Sequence, residues 1–243
     1  MQLIITGVPR RDRLLNTLAK CCGGSIKQSW DGLSTPVIVG NDKGMDDIQR
    51  HCHKDKKPYL YFDHAYFTRH PEMHRFRLCV SSYHCNDWRD STRKANCKVK
   101  DWKKDGSTIV VIKPSNTVGR IYPVSEWFDE TMATLKEHTD RKIIVKKKGE
   151  GALNDVLTNA FAAVCYGSVA DVDTVRLGIP VFCGSISPAS FVAQHDLRLI
   201  ETPSYPDRAQ WLRSLAASEW GLDEMSQAWE RVKPLCQLPP TQN

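Results

Sequence analysis

Short apolar runs alternate with amphipathic stretches in the first third of the chain. The apolar runs predict strands, and the stretches between them predict helices. The predicted strands cover residues 3–6, 36–39, 59–62 and 76–82, and the predicted helices cover residues 11–21 and 45–54. Such alternation is typical of βαβ units, which build a mainly parallel sheet.

The same alternation resumes after residue 107 and is more regular there. Strands are predicted at residues 108–112, 142–145, 162–166 and 181–183, with a further edge strand at 197–200. Helices are predicted at residues 125–138, 153–160, 169–177, 207–217 and 222–232. Pro114-Ser115-Asn116 should break the chain after the first of these strands, and the tail after Pro234 should be extended or disordered.

Two such halves in succession predict an α/β fold in which two Rossmann-like domains face a central cleft. We expect an N-terminal domain at residues 1–104, which ends in a basic linker, and a C-terminal domain at residues 105–243. Ligands of open α/β sheets bind at the carboxyl ends of the strands. The candidate chemistry should therefore lie in the loops that follow strands.

The composition is ordinary for a soluble globular protein, with 41% hydrophobic and 26% charged residues. No apolar run reaches the roughly 18 to 20 residues needed to cross a bilayer. The amino terminus lacks the basic region and the cleavage site of a signal peptide. We therefore expect a cytoplasmic protein without a membrane partner.

The chain contains nine cysteines and no CxxC pair, which fits reduced thiols better than a disulfide framework. Cys79, Cys165 and Cys183 lie in apolar runs and suit small core positions. Residues 51–97 are rich in His and Cys, but they lack the close spacing of a zinc finger or ribbon. We assign no metal site.

The formal charge of +6 is unevenly distributed. Residues 89–104 contain seven basic and two acidic residues, an excess of five that nearly accounts for the whole. Trp88 precedes this stretch and Trp102 interrupts it. Basic residues interleaved with aromatic ones suit a polyanion, especially nucleic acid. A solvated linker that keeps the protein soluble is the open alternative.

The stretch VCYGSVADVDTVRLGIPVFCG, residues 164–184, predicts a strand, a tight corner at Gly167-Ser168, a short helix and another strand. The first N–H groups of a helix are unpaired, and its dipole favours an anion there. Gly167 would let a ligand approach closely, and Ser168 could donate to a phosphate oxygen. Capping the helix is the alternative role of Ser168.

These residues resemble a known family. YGSVADVDTVRLGIPV is similar to the donor-site segment of GT-B glycosyltransferases, especially enzymes of the capsule-polysaccharide type and short bacteriophage-encoded transferases that glycosylate modified DNA bases. The resemblance implies that Ser168 contacts the donor diphosphate. It also implies that Asp173 stands where the family usually carries a glutamate for the ribose hydroxyls. The aspartate, and Gly167 before the serine, depart from the family pattern.

Two further segments extend the resemblance from residue 108 onward. IVVIKPSN resembles the first strand and loop of the donor domain, which implies that Ser115 and Asn116 lie near the phosphates. IIVKKKGEG resembles the second strand, whose end often carries a basic residue for the diphosphate, and Lys146 and Lys148 are the candidates. A solvated strand end is the alternative for these lysines.

The first half contains YLYFDHAYFTRH, which is similar to an Asp-His-small-Tyr-Phe element of the short phage enzymes. This similarity implies a general base at Asp63 or His64, with Tyr66 and Arg69 at the acceptor side. A turn cap at Asp63 within an aromatic core is the alternative. The acceptor implied is a hydroxymethylated pyrimidine in double-stranded DNA. The side chains expected to bind it are Trp88, Arg93, Lys94, Lys98, Lys100 and Trp102.

The resemblance implies a nucleotide-sugar co-substrate, UDP-linked, without a further cofactor, in the host cytoplasm if the source is viral. Asp171-Val172-Asp173 has the spacing of a metal-binding DxD motif, but residues two apart in a helix point in different directions. Three other functions stay open. They are a non-catalytic nucleic-acid-binding protein, a nucleotide-sugar epimerase, and a polysaccharide-type transferase of the same fold.

Overall fold

A computed structural model describes residues 1–4, 9–41, 44–69, 74–85 and 91–237. The chain forms two compact units, the first from Met1–Cys85 with Leu215–Asn243 and the second from Asn86–Ser214. Both units combine helices with parallel-rich sheets, which confirms the α/β class. The division differs from the expected one in two ways: the basic linker, expected to end the first domain at residue 104, belongs to the second unit, and the chain beyond residue 214 belongs to the first.

The described residues form ten strands and eight α-helices. The strands are β1 (Gln2–Ile4), β2 (Ser25–Lys27), β3 (Pro36–Val39), β4 (Leu60–His64), β5 (Arg75–Val80), β6 (Thr108–Ile112), β7 (Lys142–Lys146), β8 (Ala160–Cys165), β9 (Val181–Cys183) and β10 (Glu219–Gly221). The helices are α1 (Pro9–Cys22), α2 (Met45–Lys54), α3 (Asn116–Ile121), α4 (Trp127–His138), α5 (Leu153–Leu157), α6 (Val169–Arg176), α7 (Ala209–Ala216) and α8 (Met225–Val232).

The sheet of the first unit has the order β10-β5-β4-β3-β1-β2. Strands β1 to β4 pair in parallel, whereas β5 pairs antiparallel with both β4 and β10. Leu60 and Phe62 on β4 are buried in the main core, which α8 completes with Met225, Ala228 and Val232. Because side chains alternate across a strand, Tyr61 and Asp63 lie on the opposite face of β4.

The sheet of the second unit has the order β7-β6-β8-β9 and is wholly parallel. Strand β6, with the sequence TIVVI, is buried along its whole length, as expected for a continuous Val/Ile run in a parallel sheet. Ile109 and Val111 on β6 share a core with Leu135 of α4 and Phe182 of β9. Since all four strands are parallel, their carboxyl ends lie at one edge of the sheet.

Some short elements differ from the predictions. The strand predicted at 197–200 is wrong, because Leu197–Leu199 is a 3₁₀ helix in which the Arg198 N–H donates to the Asp196 side chain. The predicted break after β6 leads into helix α3, with Ser115 as its N-cap. Strands β2 and β10 were not predicted, since three residues are too few to show a period.

Among the described residues, no helix is both long and apolar enough to span a membrane.

Candidate functional site

A basic pocket of about 490 Å³, here named the lysine pocket, lies at the carboxyl ends of β6 and β7. It is lined by Lys113, Pro114, Ser115, Asn116, Thr117, Lys147 and Lys148. Lys113 follows β6 directly, and its N–H donates to the Lys146 carbonyl across the two strands at 3.0 Å. The parallel pairing of β6 and β7 therefore brings these lysines together from distant parts of the sequence.

Two of the three lysines that line the pocket have contacts within the described part of the protein. Lys147 forms an exposed ion pair with Glu150 at 3.6 Å. Lys113 places its ammonium group 3.7 Å from the centre of the Phe128 ring. The pocket thus carries more positive than negative charge, which suits an anionic ligand.

Of the two predicted lysines, Lys148 lines the pocket and Lys146 does not. Lys146 is only 7% exposed, and its ammonium group donates to the Lys147 carbonyl at 2.7 Å. Lys113 was not among the predicted site residues. Its position directly after a buried strand and before Pro-Ser-Asn is the signal that could have identified it.

Ser168 is the N-cap of α6. Its side-chain oxygen accepts from the Ala170 N–H at 3.2 Å, and the Asp171 carboxylate accepts from the Ser168 N–H at 2.9 Å. The capping role proposed as the alternative is therefore present. Because a hydroxyl that accepts one bond keeps its own O–H, Ser168 still has a proton to donate to a ligand.

At Gly167 the space that a side chain would take is filled by Ile186. A Cβ atom at this position would lie 2.8 Å from Cγ1 of Ile186. The approach of a phosphate to Gly167 stays a prediction, because the contact with Ile186 concerns only the Cβ side of the glycine. Its missing side chain lets the loop after β9 pack closely against the corner after β8.

Asp171 joins the same two loops through its buried carboxylate. It accepts from the Ser187 hydroxyl at 2.6 Å as well as from the Ser168 N–H, and it is fully buried. Its Oδ1 atom has no hydrogen-bond partner. Burial raises the pKa of Asp171 to about 6, although these hydrogen bonds act in the opposite direction. The sequence pattern pointed to Asp171 only through the spacing of a DxD motif.

Asp173 lies on α6 and forms an ion pair with Arg176 at 3.4 Å. A ribose that bound Asp173 would share this carboxylate with the arginine. Asp171 is buried while Asp173 is partly exposed, so the two carboxylates occupy different environments. In the part of the chain that the structure describes, no group of three or more His, Cys, Asp or Glu residues could hold a metal ion.

A second cavity, the aromatic pocket, lies at the carboxyl ends of β8 and β9 and has a volume of about 350 Å³. Its lining is Trp127, Thr131, Val164, Cys165, Phe182, Cys183, Gly184, Ser185, His195 and Leu197. Trp127 meets the Tyr166 ring edge-on at 5.7 Å. These residues come from separate segments, so no local pattern of the chain predicts the pocket.

His195 brings an imidazole ring to the lining of the aromatic pocket. Its Nδ1 lies 2.7 Å from the Cys183 carbonyl oxygen, which can only accept. Nδ1 therefore carries the proton, and in the neutral imidazole Nε2 is an acceptor.

The two pockets share one edge of the sheet. Neighbouring strands lie about 4.8 Å apart, so the midpoint between the ends of β6 and β7 lies about 10 Å from the midpoint between the ends of β8 and β9. An elongated ligand with an anionic part and an aromatic part matches this arrangement. Ser168 follows β8, the strand next to β6, but it lines neither pocket.

In the first unit, Asp63 is held by a buried cluster that we name the arginine cage. Its carboxylate accepts from Arg77 at 3.0 Å and from the Tyr61 hydroxyl at 2.9 Å. Arg77 is 1% exposed, and its guanidinium carbon lies 5.3 to 5.8 Å from the rings of Tyr61, Tyr66 and Tyr83. Asp63 and Arg77 are directly opposite on β4 and β5.

The cage determines the ionisation of Asp63. Burial alone would raise the pKa of Asp63, but the Arg77 charge and the hydrogen bonds outweigh it and hold the pKa below its ordinary value. Asp63 is therefore an ionised partner of Arg77, which makes it a weak base. His64, the next residue, is exposed, and its carbonyl accepts from Arg77 at 2.9 Å.

Tyr66 and Arg69 follow β4 but differ in position. Tyr66 is fully buried, and its hydroxyl accepts from the Cys85 N–H at 2.9 Å. The expectation that Tyr66 contacts an acceptor is therefore corrected. Arg69 is exposed, and its Nε donates to the Tyr66 carbonyl at 2.9 Å.

The basic segment, residues 91–104 in the described chain, runs without helix or strand along the second unit. Lys94, Lys98 and Lys100 are exposed, whereas Arg93 is half-buried. Trp88 lies outside the described residues. The exposed lysines present a positively charged surface, as expected for the binding of a polyanion.

Trp102 anchors the basic segment. Its Nε1 donates to the Pro206 carbonyl at 2.9 Å, and its ring lies 4.1 Å from the guanidinium carbon of Arg208. Tyr205 meets the same ring at 6.0 Å. The expectation that Trp102 stacks on a DNA base is corrected, because the protein's own side chains already occupy the ring.

Gly178 provides the second anchor. The N–H groups of Lys100 and Lys103 donate to the Arg176 and Gly178 carbonyls at 2.8 and 2.7 Å. Gly178 has a φ of +82°, and a Cβ atom there would lie 2.0 Å from the Asp101 carbonyl oxygen. A side chain at this position would therefore displace the basic segment.

No protein-family profile and no curated protein matches the chain. Among solved structures, the chain is similar to Thermosulfurimonas dismutans KpsC, described as a beta Kdo 2,4 transferase. The TM-score is 0.49 and the identity 11%, over 90% of this chain and 91% of that chain. A likeness at this level identifies neither family nor activity, so the chemistry of the site has to be argued from its own contacts.

Proposed function

We propose that the chain is a glycosyltransferase that binds a nucleotide-sugar donor at the carboxyl edge of its second sheet. The observation that carries this proposal is the lysine pocket, which Lys113, Lys147 and Lys148 line together with Ser115 at the ends of two parallel strands. A diphosphate gains negative charge as it leaves the sugar. Ammonium groups fixed beside it stabilise that charge most in the transition state.

The aromatic pocket would hold the base of the donor. An apolar cavity next to Trp127 suits a planar heterocycle, and Nε2 of His195 can accept from an imide N–H. Uracil presents such a group, which supports a UDP-linked donor. The ribose would then lie near Ser168 and Asp173.

For the general base, the contacts support His64 over Asp63. Asp63 is paired with Arg77 and has a lowered pKa, whereas the His64 side chain is exposed. The role of Asp63 would be to hold the end of β4 in place. Loss of a general base typically lowers the rate by about a hundredfold to ten-thousandfold, so His64→Ala should reduce transfer far more than it reduces nucleotide binding.

For the acceptor, we propose a hydroxymethylated pyrimidine in double-stranded DNA. The exposed Lys94, Lys98 and Lys100 support a partner with a phosphate backbone. A target base would have to leave the duplex to reach the transferred sugar. A polysaccharide-type transferase is the second candidate, because the donor pockets would serve an oligosaccharide acceptor equally well.

The proposal is tested by incubating the protein with a panel of nucleotide sugars, with and without hydroxymethylated DNA or an oligosaccharide acceptor. Transfer to DNA supports both the glycosyltransferase activity and the DNA acceptor. Transfer to the oligosaccharide alone supports the enzyme class but contradicts the DNA acceptor. Conversion of the sugar without an acceptor indicates an epimerase. DNA binding without turnover of any donor indicates a non-catalytic nucleic-acid-binding protein.

The DNA acceptor has a separate test in the salt dependence of binding. Each lysine that neutralises a phosphate contributes about one unit to the slope of log affinity against log salt concentration. Replacing Lys94, Lys98 and Lys100 together by Gln should lower that slope by about three. Neutralising Arg93 as well should add less, because it is half-buried. An unchanged slope would contradict the DNA proposal.

A further inference from the structure

Two cysteines of the first unit lie side by side. Cys79 is on β5, Cys85 follows the turn after it, and their Sγ atoms are 3.2 Å apart. Cys79 is 0% and Cys85 3% exposed. Within the described residues, no third His, Cys, Asp or Glu joins them in a metal-binding group.

The turn between the two thiols is tightly constrained. Ser81 adopts a left-handed φ of +53°, which is unfavourable for a serine. Its N–H donates to the Tyr59 carbonyl at 2.8 Å. The Cys85 thiol donates to the Leu78 carbonyl at 3.3 Å, so the chain on both sides of the turn is already held together.

A disulfide needs only a small movement from this arrangement. The S–S bond length is about 2.05 Å, so the two sulfur atoms must approach by about 1 Å from their present 3.2 Å. Rotation of the two side chains about their Cα–Cβ bonds provides movements of this size.

We propose that Cys79 and Cys85 form a modification site, a dithiol that a low-molecular-weight disulfide such as oxidised glutathione converts to an intramolecular disulfide. One cysteine thiolate attacks a sulfur atom of oxidised glutathione and expels a glutathione thiolate. The second cysteine thiolate then attacks the resulting mixed disulfide and expels the other. The two cysteines are oxidised, oxidised glutathione is reduced to two thiols, and these take up the two protons.

The position of the pair gives the reaction two features. Because both thiols are buried, the first step depends on local opening of the turn. Because they are in contact, the second step is intramolecular and fast. The turn carries Tyr83, whose ring stacks on Tyr61 at 5.1 Å. The disulfide would therefore link the turn that carries Tyr83, one of the three tyrosines around Arg77, covalently to β5.

The experiment counts thiols in the folded wild-type protein after treatment with oxidised glutathione. Alkylation under denaturing conditions should find seven free thiols instead of the nine in the reduced protein. Trypsin cleavage after Arg77 and Arg89 gives a peptide, residues 78–89, that contains both cysteines. Its mass should be lower by two hydrogen atoms. Chymotrypsin cleavage after Tyr83 should leave the two parts joined until they are reduced.

Single variants and a matched control define the pair. Cys79→Ser and Cys85→Ser should each lose the cross-link and carry at most one glutathione. Cys183→Ser, which removes a buried thiol from the second unit, should still form it. The proposal is overturned if the folded wild-type protein keeps all nine thiols, or if the lost thiols map to other cysteines. The wild-type measurement decides even if a variant fails to fold.

Discussion

The carboxyl edges of the two sheets show opposite uses of charge. At the end of β4, Asp63 is paired with a buried arginine, and three tyrosines close around that arginine. At the ends of β6 and β7, three lysines line a cavity of about 490 Å³. Similar strand ends thus serve different purposes. The deciding factor is whether the chain itself supplies the opposite charge.

The largest effect should come from breaking the cage. Arg77→Met would leave Asp63 largely buried without its partner, and such a change typically costs about 3 to 5 kcal/mol. Urea unfolding measures this loss. Arg198→Met, which breaks an exposed pair with Asp196, is the control and should leave stability close to that of the wild type.

A double variant sharpens the same test. Arg77→Met with Asp63→Leu removes both charges and should recover most of the lost stability, because an apolar pair needs no compensation. If the double variant is as unstable as Arg77→Met, the loss comes from packing rather than from the unpaired charge.

The next effect concerns the anchor of the basic segment. Gly178→Ala should cost about 1 to 2 kcal/mol through its left-handed backbone, and about 1 to 3 kcal/mol more through overlap with the Asp101 carbonyl. Gly151→Ala is the matched control, since Gly151 has a φ of +73° and no atom close to its Cβ position. Trypsin should cleave after Lys98 and Lys100 faster in Gly178→Ala than in the wild type, whereas Gly151→Ala should be cleaved there at the wild-type rate. Equal stability of the two variants would show that the segment is not held at Gly178.

The third prediction concerns Asp171, a buried carboxylate without a cationic partner among the described residues. Its pKa is raised from 3.8 to about 6. Between these values the folded protein keeps a proton that the unfolded chain has released, so stability falls as pH rises. The loss is absent below pH 3.8, complete above about pH 6 and on the order of 3 kcal/mol.

Unfolding measurements between about pH 4 and pH 7 test this linkage. Asp171→Asn cannot titrate, so its stability should lack this part of the pH dependence. The difference between the two proteins isolates Asp171 from other titrating groups. Identical curves would mean that Asp171 keeps an ordinary pKa in the folded state.

The smallest effect should be on ligand binding at the lysine pocket. Lys113→Ala and Lys148→Ala should each weaken UDP binding by roughly ten- to a hundredfold, which corresponds to about 1.5 to 3 kcal/mol for a charge-assisted contact. Lys136→Ala, an exposed lysine on α4, should have no effect. Lys146→Ala should affect stability more than binding, because its ammonium group is bonded to a carbonyl. Calorimetric titration separates these cases.

Much of the fold could be predicted from the sequence, because long apolar runs mark buried strands. The run TIVVI identified β6, and the small residues Gly167 and Ser168 identified the start of α6. Strands β2 and β10 could not be predicted in this way. They have three residues each and are defined by their pairing partners.

The candidate site could be predicted only in part. The sequence locates Ser115 and Lys148 after strands, but it does not show that Lys146 donates to its neighbour's carbonyl. Arg77 looked like one more polar position in a strand, and only the pairing of β4 with β5 places it opposite Asp63. Burial and partners depend on contacts between distant segments, which local patterns do not encode.

The return of the chain to its first unit has a consequence for synthesis. Strand β5 receives its partner β10 only after residues 86–214 have been made, and α8 covers the core at the same late stage. The second unit is thus an insertion that is continuous in sequence, and domains generally fold as units during synthesis. Until residues 219–232 emerge, β5 lacks its partner β10, and an unpaired edge strand is the kind of surface that chaperones protect from aggregation.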